Sequence, residues 1–213
     1  MAYVISLGNQ KGGVGKTTLT INLAGYFAKK GKKVLVIDAD QQETALTWHS
    51  IRQDTSLFDI VGIPEDNIDE KVETLSLNYD YILIDCPPHS ANILKSIIVS
   101  SDFFIIPLNP SALDVWSSES VVKLLEQAVV YKENIKSAFV INRKIVNTAI
   151  GDAIKKVLKN YSIPLLKTII SQRVSFAESM SSGLLVYELN SDKQAVLEIE
   201  NLGKEIEKYV KKN

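Results

Sequence analysis

Residues 3–18 read YVISLGNQKGGVGKTT, a short apolar run followed by a glycine-rich segment that ends in Lys-Thr-Thr. The run Tyr3–Leu7 has the length and β-branched content of a strand that is buried on both faces of a sheet. A glycine-rich turn between such a strand and a helix directs successive backbone N–H groups at one point, where the helix N-terminus adds partial positive charge. The stretch therefore predicts a loop that binds phosphate.

The residue types within this loop suit a nucleotide. Glycines leave room for the backbone to approach phosphate oxygens, Lys16 would reach the β- and γ-phosphates, and Thr17 would place its hydroxyl on Mg²⁺. A tight strand–helix turn with incidental glycines is the alternative, and it gives no reason for Lys-Thr at the start of the helix. The predicted nucleotide contacts in the loop are Gly12, Gly13, Val14, Gly15, Lys16, Thr17 and Thr18.

The composition excludes several classes of protein. With 46% hydrophobic and 23% charged residues among 213, the chain resembles an ordinary globular protein rather than a disordered or fibrous one. A single cysteine, Cys86, excludes an intramolecular disulfide or a cluster held by several thiolates of one chain. There is no signal-peptide pattern and no apolar run of about 18 residues. We expect a cytoplasmic protein that does not enter a membrane.

Short apolar runs alternate with helix-length segments along the chain, which predicts an α/β fold with a doubly wound, mostly parallel sheet flanked by helices. The predicted strands are Tyr3–Leu7, Lys33–Ile37, Tyr81–Ile84, Phe103–Leu108 and Ala138–Ile141, and Phe58–Val61 has the length of a further short strand. The predicted helices are Thr17–Lys30, Glu65–Leu77, Asp114–Tyr131 and Ser191–Val210. No linker or repeat interrupts the pattern, so we expect one domain over residues 1–213.

Carboxylates follow two of the predicted strands. Asp38 and Asp40 lie at the end of the second strand, and Asp85 ends the buried run YDYILID. The carboxyl edge of an open α/β sheet is where ligands bind. A carboxylate near a γ-phosphate orients the attacking water, whereas one at a strand end otherwise caps the next helix.

Together these segments resemble the ParA/MinD family of P-loop ATPases. The loop departs from the strict pattern G-x-x-x-x-G-K-[ST] because Gln10 occupies its first position, and Lys11 opens the loop instead, as in the deviant Walker A motif of that family. The run ending at Asp85 resembles its Walker B motif. The resemblance covers nearly the whole chain and implies ATP and Mg²⁺ as cofactors and a homodimer that encloses ATP.

The resemblance also implies roles for individual residues. Lys11 would reach across the dimer to the partner's phosphates, Asp40 would position water, and Asp85 would hold Mg²⁺, usually through water. Asn142, in the segment FVINRK that matches the end of a strand in that family, would contact the adenine edge. The residues assigned to catalysis are Lys11, Lys16 and Asp40, and those assigned to the metal are Thr17 and Asp85.

The C-terminal third resembles the part of ParA proteins that binds DNA. Residues 121–213 contain 15 basic and ten acidic residues, which forms either solvated helix faces or a patch for a polyanion. The first strand begins at Tyr3, leaving no room ahead of it for the helix-turn-helix of larger ParA proteins, so we expect non-specific contacts to phosphates. The candidates are Arg173, Lys144, Lys155, Lys156, Lys159 and Lys167.

The implied function is plasmid or chromosome partition with a centromere-binding, ParB-like adaptor that stimulates weak ATP hydrolysis, close to the nucleoid. Three alternatives stay open: the same ATPase could position a protein cargo, it could bind membranes as MinD does through Gly203–Asn213, or it could be a small-molecule ligase or kinase. Nitrogenase-reductase-like electron transfer is excluded, because its cluster requires two cysteines from each subunit.

Overall fold

In the computed structural model, residues 1–132, 135–146, 158 and 160–210 are described. These residues include seven strands that form one sheet. The strands are β1 (Tyr3–Leu7), β2 (Val34–Asp38), β3 (Asp59–Gly62), β4 (Tyr81–Asp85), β5 (Phe103–Leu108), β6 (Lys136–Lys144) and β7 (Leu165–Ser171).

The sheet has the order β3-β2-β4-β1-β5-β6-β7, and every neighbouring pair is parallel. Strands β4, β2 and β3 lie on one side of β1, and β5, β6 and β7 lie on the other, so the direction of winding reverses beside β1. Ligands of open α/β sheets bind at such a reversal, at the carboxyl ends of the strands. The predicted doubly wound α/β class is confirmed.

Helices connect the strands and cover both faces of the sheet. They are α1 (Lys16–Lys29), α2 (Thr44–Ile51), α3 (Ile68–Leu75), α4 (Ala91–Ser100), α5 (Ala112–Ser117), α6 (Glu119–Ala128), α7 (Val174–Ser181) and α8 (Lys193–Val210). No helix among the described residues is both long and apolar enough to cross a bilayer.

Two hydrophobic clusters lie on opposite faces of the sheet. Alternate residues of β5 divide between them: Phe103 and Ile105 belong to the cluster beneath α1 and α8, whereas Phe104 and Ile106 belong to the cluster beneath α4 and α6. All six residues of β5 are buried. Burial on both faces explains the nearly continuous apolar runs from which the strands were predicted.

The helix predicted over Asp114–Tyr131 is wrong, because the structure has two helices there, α5 and α6. The hydroxyls of Ser117 and Ser118 donate to the carbonyls of Asp114 and Val115, over 2.8 and 2.6 Å. Such side-chain bonds compete with the helical backbone pattern, and the chain turns at Ser118. The helix predicted over Glu65–Leu77 is also shorter than expected, since α3 covers only Ile68–Leu75.

The outer edge of β7 is covered by carboxylates from α8. Glu205 accepts hydrogen bonds from the backbone nitrogens of Lys167 and Thr168, over 2.8 and 2.9 Å. Glu198 accepts one from the backbone nitrogen of Ser171, over 2.9 Å. Side chains thus occupy backbone donors that an edge strand normally presents to solvent.

Candidate functional site

The glycine-rich loop between β1 and α1 has the backbone of an anion cradle. Gly13 and Gly15 have φ values of 74° and 87°, in the left-handed region that favours glycine. Gly12 differs, because its φ is not positive and a Cβ placed on it would have no atom within 4 Å. Nothing within the folded chain requires glycine at position 12, so its open space is available to a ligand.

Asn142, at the end of β6, fixes the loop from one side. Its Nδ2 donates to the carbonyl of Val14 over 2.7 Å, and its side-chain amide fills the space that a Cβ on Gly15 would need. Val14 is fully buried. The structure therefore places Asn142 against the loop, where it holds the loop in shape. Its contact with the adenine edge stays a prediction.

Lys16 and Thr17 begin α1 beside the Walker B-like carboxylate. Lys16 is almost fully buried, and Asp85 lies in register with Leu7 of the neighbouring strand. Burial raises the pKa of Asp85 to about 7; a hydrogen bond from Thr17 opposes the increase, and the charge of Asp38 adds to it. The fold therefore brings Thr17 and Asp85 together, and their role as metal ligands stays a prediction.

The surroundings of Asp85 show whether this carboxylate suits a metal ion. Oδ1 of Asp85 is buried and has no hydrogen-bond partner among the described residues. A buried, unsatisfied carboxylate oxygen is costly by itself and suits a cation or a water bound to one. Thr17 and Asp85 therefore fit Mg²⁺. No cluster of three or more His, Cys, Asp or Glu suited to a metal occurs among the described residues.

Asp38 and Asp40 have different roles in the fold. Asp38 is buried, and its carboxylate accepts backbone hydrogen bonds from Asp40, Ala45 and Leu46. It therefore holds the start of α2. The Asp40 carboxylate accepts only one described hydrogen bond, from the backbone nitrogen of Gln42 over 3.0 Å, and it is partly exposed. Asp40 is the carboxylate that is more available for water.

Lys11 makes an ion pair within its own chain. Its Nζ lies 2.8 Å from Oδ2 of Asp114, on α5, a residue 103 positions away in the sequence. The Lys11 side chain is 40% exposed and the Asp114 side chain only 3%. The backbone of Lys11 is also fixed, since its nitrogen donates to Oδ1 of Asn9 over 2.9 Å.

A cavity of about 380 Å³ adjoins the loop and has the size of a nucleoside-binding pocket. Gly15, Thr18 and Asn142 line it, and all three were predicted to contact nucleotide. Sequence reasoning missed Arg143 and Gln172 in its wall. The available signal was their position, since Gln172 follows β7 and Arg143 follows Asn142 at the carboxyl edge of the sheet.

Arg173 also lines this cavity, which differs from its predicted place on a free basic surface. Its guanidinium donates to Oε1 of Glu198 over 2.8 Å and lies 3.6 Å from Oδ2 of Asp192. The hydrogen bond that Arg173 donates to Glu198 raises the pKa of Arg173 more than burial lowers it. Two carboxylates thus compensate the charge on which its predicted role in DNA binding depended.

The other basic candidates are distributed differently. Lys167 is exposed on β7 and lines a groove with Lys204 and Lys208, two residues that the sequence analysis did not select. Lys144, at the end of β6, is partly exposed. Lys155, Lys156 and Lys159 lie outside the described residues.

The apolar residues near the end of α8 pack against the core. Ile206 is fully buried, and the ring of Tyr209 stacks on Phe103 with centroids 4.6 Å apart. Val210 packs against the same cluster. These three side chains belong to the segment Gly203–Asn213 that was considered for MinD-like membrane binding, and they already pack against the core.

Comparisons with known proteins identify the family of this chain. A family model described as the CobQ/CobB/MinD/ParA nucleotide binding domain matches residues 5–186. The maintenance of carboxysome distribution protein A of Halothiobacillus neapolitanus is 28% identical over 194 residues, which cover 89% of each chain. The sporulation initiation inhibitor protein Soj of Bacillus subtilis is 27% identical, covering 90% of this chain and 93% of Soj.

The fold is shared with the septum site-determining protein MinD of Pyrococcus horikoshii, solved with Mg-ADP. The TM-score is 0.79 at 21% identity, over 99% of this chain and 98% of that one. The family model covers most of the sequence, including the carboxyl ends of all seven described strands. The chain therefore belongs to the CobQ/CobB/MinD/ParA family of nucleotide-binding domains, and the predicted resemblance to ParA-type P-loop ATPases is confirmed.

Proposed function

We propose that this protein is a Mg²⁺-dependent, ParA-type ATPase whose two copies enclose ATP, bind DNA non-specifically and drive partition together with a centromere-binding adaptor. The observation that carries the proposal is the loop with two lysines in different surroundings. Lys16 is nearly buried at the start of α1, whereas Lys11 is 40% exposed where the loop opens. This difference supports assigning Lys16 to the chain's own nucleotide and Lys11 to a neighbouring molecule.

Within each chain, the loop amides and Lys16 hold the phosphates of ATP. Thr17 and Asp85 hold Mg²⁺, which neutralises negative charge on the phosphates. The cavity lined by Asn142 and Thr18 receives the nucleoside. Because this cavity adjoins the loop, phosphates and base occupy continuous space along the carboxyl edge.

Hydrolysis requires an oriented water and stabilisation of the charge that develops on the phosphates. Asp40 orients the water, since its carboxylate has only one described backbone contact and is partly exposed. Lys11 of the second copy approaches the phosphates and stabilises their charge. Turnover is slow until an adaptor protein stimulates it.

Binding of DNA depends on the phosphate backbone and therefore on charge and salt. Among the described candidates, Lys144 and Lys167 carry this proposal better than Arg173, whose guanidinium is held by Glu198 and Asp192. Dimer formation brings two such surfaces together and raises the affinity. ATP thereby controls retention on the nucleoid of a cytoplasmic protein.

A second candidate function is the positioning of a protein cargo by the same ATPase. The relative from Halothiobacillus neapolitanus, named for carboxysome distribution, favours it. The chemistry of the nucleotide site is the same in both cases, and the adaptor determines the cargo. A membrane-bound, MinD-like ATPase is less favoured, because Ile206 and Tyr209 pack into the core.

Sedimentation of the purified protein with Mg²⁺ and a non-hydrolysable ATP analogue tests the proposal. We expect dimers with the analogue and monomers without nucleotide. Retention on DNA should follow the dimer, and co-sedimentation with anionic vesicles should be absent. A protein that stays monomeric with saturating analogue would contradict the enclosed-ATP dimer, and vesicle binding would favour the MinD-like function.

A further inference from the structure

The pairing of Lys11 with Asp114 has a consequence for how two copies come together. In the single chain, the ammonium group that the proposed dimer requires is already bound, at 2.8 Å, by a carboxylate of the same chain. Before Lys11 approaches a second nucleotide, this contact has to break. The inference that follows rests on the proposed enclosed-ATP dimer.

Asp114 depends strongly on this lysine. Its side chain is 3% exposed, so water contributes little to its solvation. Oδ2 accepts from Lys11 Nζ, and Oδ1 accepts from Asn109 Nδ2 over 3.0 Å. A nearly buried carboxylate that loses its cationic partner is strongly destabilised. The Lys11–Asp114 ion pair is therefore stronger than an exposed surface pair, and it opposes the departure of Lys11.

The surroundings of Asp114 also contain an unused acceptor. Oδ1 of Asn109 is buried and has no hydrogen-bond partner in the described part of the chain. Such groups are normally satisfied in a complete site. Helix α5 carries two exposed apolar side chains on either side of Asp114 in the sequence, Leu113 and Trp116, which are 66% and 56% exposed. The polar network thus lies beside a surface that another molecule has room to cover.

We infer that Asp114 is a positioning residue for Lys11: it holds the lysine within its own chain and releases it when a second, nucleotide-bound copy approaches. The negative charge of the partner's triphosphate replaces that of Asp114 as the counterion. The ion pair within each chain therefore affects the nucleotide and protein concentrations at which two copies form a dimer. Asp114 touches neither substrate nor cofactor in this scheme and acts only through Lys11.

The test compares Asp114→Asn with a matched control, Glu119→Gln. The asparagine keeps an oxygen for Asn109 but removes the charge. Glu119 also pairs with a lysine at 2.8 Å, but its pair with Lys123 is exposed, at 64% and 53%, and lies on α6. If Asp114→Asn does not yield folded protein, Asp114→Ser removes the same charge and leaves a hydroxyl for Asn109.

The first measurement is acylation of the Lys11 amine in nucleotide-free protein, quantified by mass spectrometry against Lys29 of the same chain. We expect Asp114→Asn to raise the Lys11 rate several-fold and Glu119→Gln to leave it unchanged. An unchanged Lys11 rate in Asp114→Asn would overturn the inference. This measurement does not require dimers, so it decides whether Asp114 holds Lys11 even if the proposed function fails.

The second measurement is the dimer dissociation constant with a non-hydrolysable ATP analogue and Mg²⁺. Each dimer breaks two pairs that involve a nearly buried carboxylate, so Asp114→Asn should tighten it by at least about tenfold, with the nucleotide affinity of the monomer unchanged. A wild-type dimer that Asp114→Asn leaves unchanged or weakens would overturn the inference while the proposed function stands. Absence of dimers in the wild type would contradict the proposed function instead.

Discussion

The side-chain amide of Asn142 fills the space that a Cβ on Gly15 would occupy, and it bonds to the loop through the Val14 carbonyl. A strand end on one side of β1 thereby fixes the conformation of a loop that begins on β1. The loop is shaped before any nucleotide arrives, so its amides need little rearrangement to bind phosphate.

This packing predicts different effects for two glycine substitutions in the same loop. Gly15→Ala should lower the thermal midpoint by several degrees, because a left-handed φ costs an alanine roughly 1–2 kcal/mol and Asn142 has to move. Gly12→Ala should leave the midpoint unchanged, since a Cβ there meets nothing within 4 Å.

The substitution at Gly12 should instead affect the affinity for nucleotide. A methyl group at position 12 would stand where phosphate is expected, so Gly12→Ala should weaken binding by at least about tenfold, or ~1.4 kcal/mol. Titration with a fluorescent ATP analogue measures this. Wild-type affinity in Gly12→Ala would mean that phosphate does not approach the loop at that point.

Asp85 predicts a pH dependence of stability in the nucleotide-free protein. Its pKa is raised by burial from 3.8 to about 7 in the native chain. Between these values the native state holds a proton that the unfolded state has lost, so the free energy of unfolding falls as pH rises through this window. Asp85→Asn removes this contribution, and its unfolding midpoint should vary less between about pH 4 and pH 7 than that of the wild type. Parallel curves for the two proteins would contradict the assignment.

The same carboxyl predicts a pH dependence of metal-linked binding. Mg²⁺ requires the ionised form of Asp85, so metal binding should release protons near pH 7. The gain in nucleotide affinity on adding Mg²⁺ should therefore diminish as pH falls below about 7, and isothermal titration in buffers of different ionisation enthalpy should detect the proton. A gain that is equal above and below this pH would show that Asp85 does not serve the metal.

Asp38 and Asp40, at the carboxyl end of β2, should have different effects when replaced: one on stability and the other on ATP hydrolysis. Asp40→Ala should reduce ATP hydrolysis by about 100-fold or more while leaving dimers with ATP intact, because its carboxylate supports only one described backbone contact. Asp38→Ala should lower the thermal midpoint, since Asp38 accepts three backbone hydrogen bonds at the start of α2. Phosphate release and thermal unfolding measure the two effects. Loss of ATP-dependent dimers in Asp40→Ala would contradict its role in positioning water.

The basic surface predicts a change in salt dependence. Lys144→Glu and Lys167→Glu should each weaken retention on DNA in the presence of the ATP analogue and lower the slope of log K against log salt by roughly 0.9 per lost phosphate contact. The control is Lys123→Glu on α6, a lysine outside the candidate set. Equal retention by all three variants would move the DNA-binding surface away from β6 and β7.

Much of the candidate site could be predicted from the sequence, because its residues lie at the ends of strands that have a clear local sequence pattern. The bounds of β1 and β5 agree with the prediction, and Asp85 lies at the end of a buried strand beside the loop, as expected. β7 was missed because it is an edge strand: Lys167 and Thr168 interrupt its apolar run, which removes the continuous pattern of a central strand.

The remaining features depend on contacts between distant segments. Arg173 reads as a free cation in the sequence, and only the packing of α8 against β7 brings Glu198 and Asp192 to its guanidinium. The ion pair between Lys11 and Asp114 could not be predicted from local sequence either, because 103 positions separate the two residues. Local sequence patterns identify the chemical groups, whereas tertiary packing determines which charges are already neutralised.

The carboxylates of Glu198 and Glu205 along β7 limit how this protein assembles. With the outer amides of that strand occupied, a foreign strand finds few donors with which to extend the sheet, so fibre-like growth through this border is discouraged. In the dimer and on the DNA proposed above, neighbouring copies would therefore meet through faces other than this strand edge.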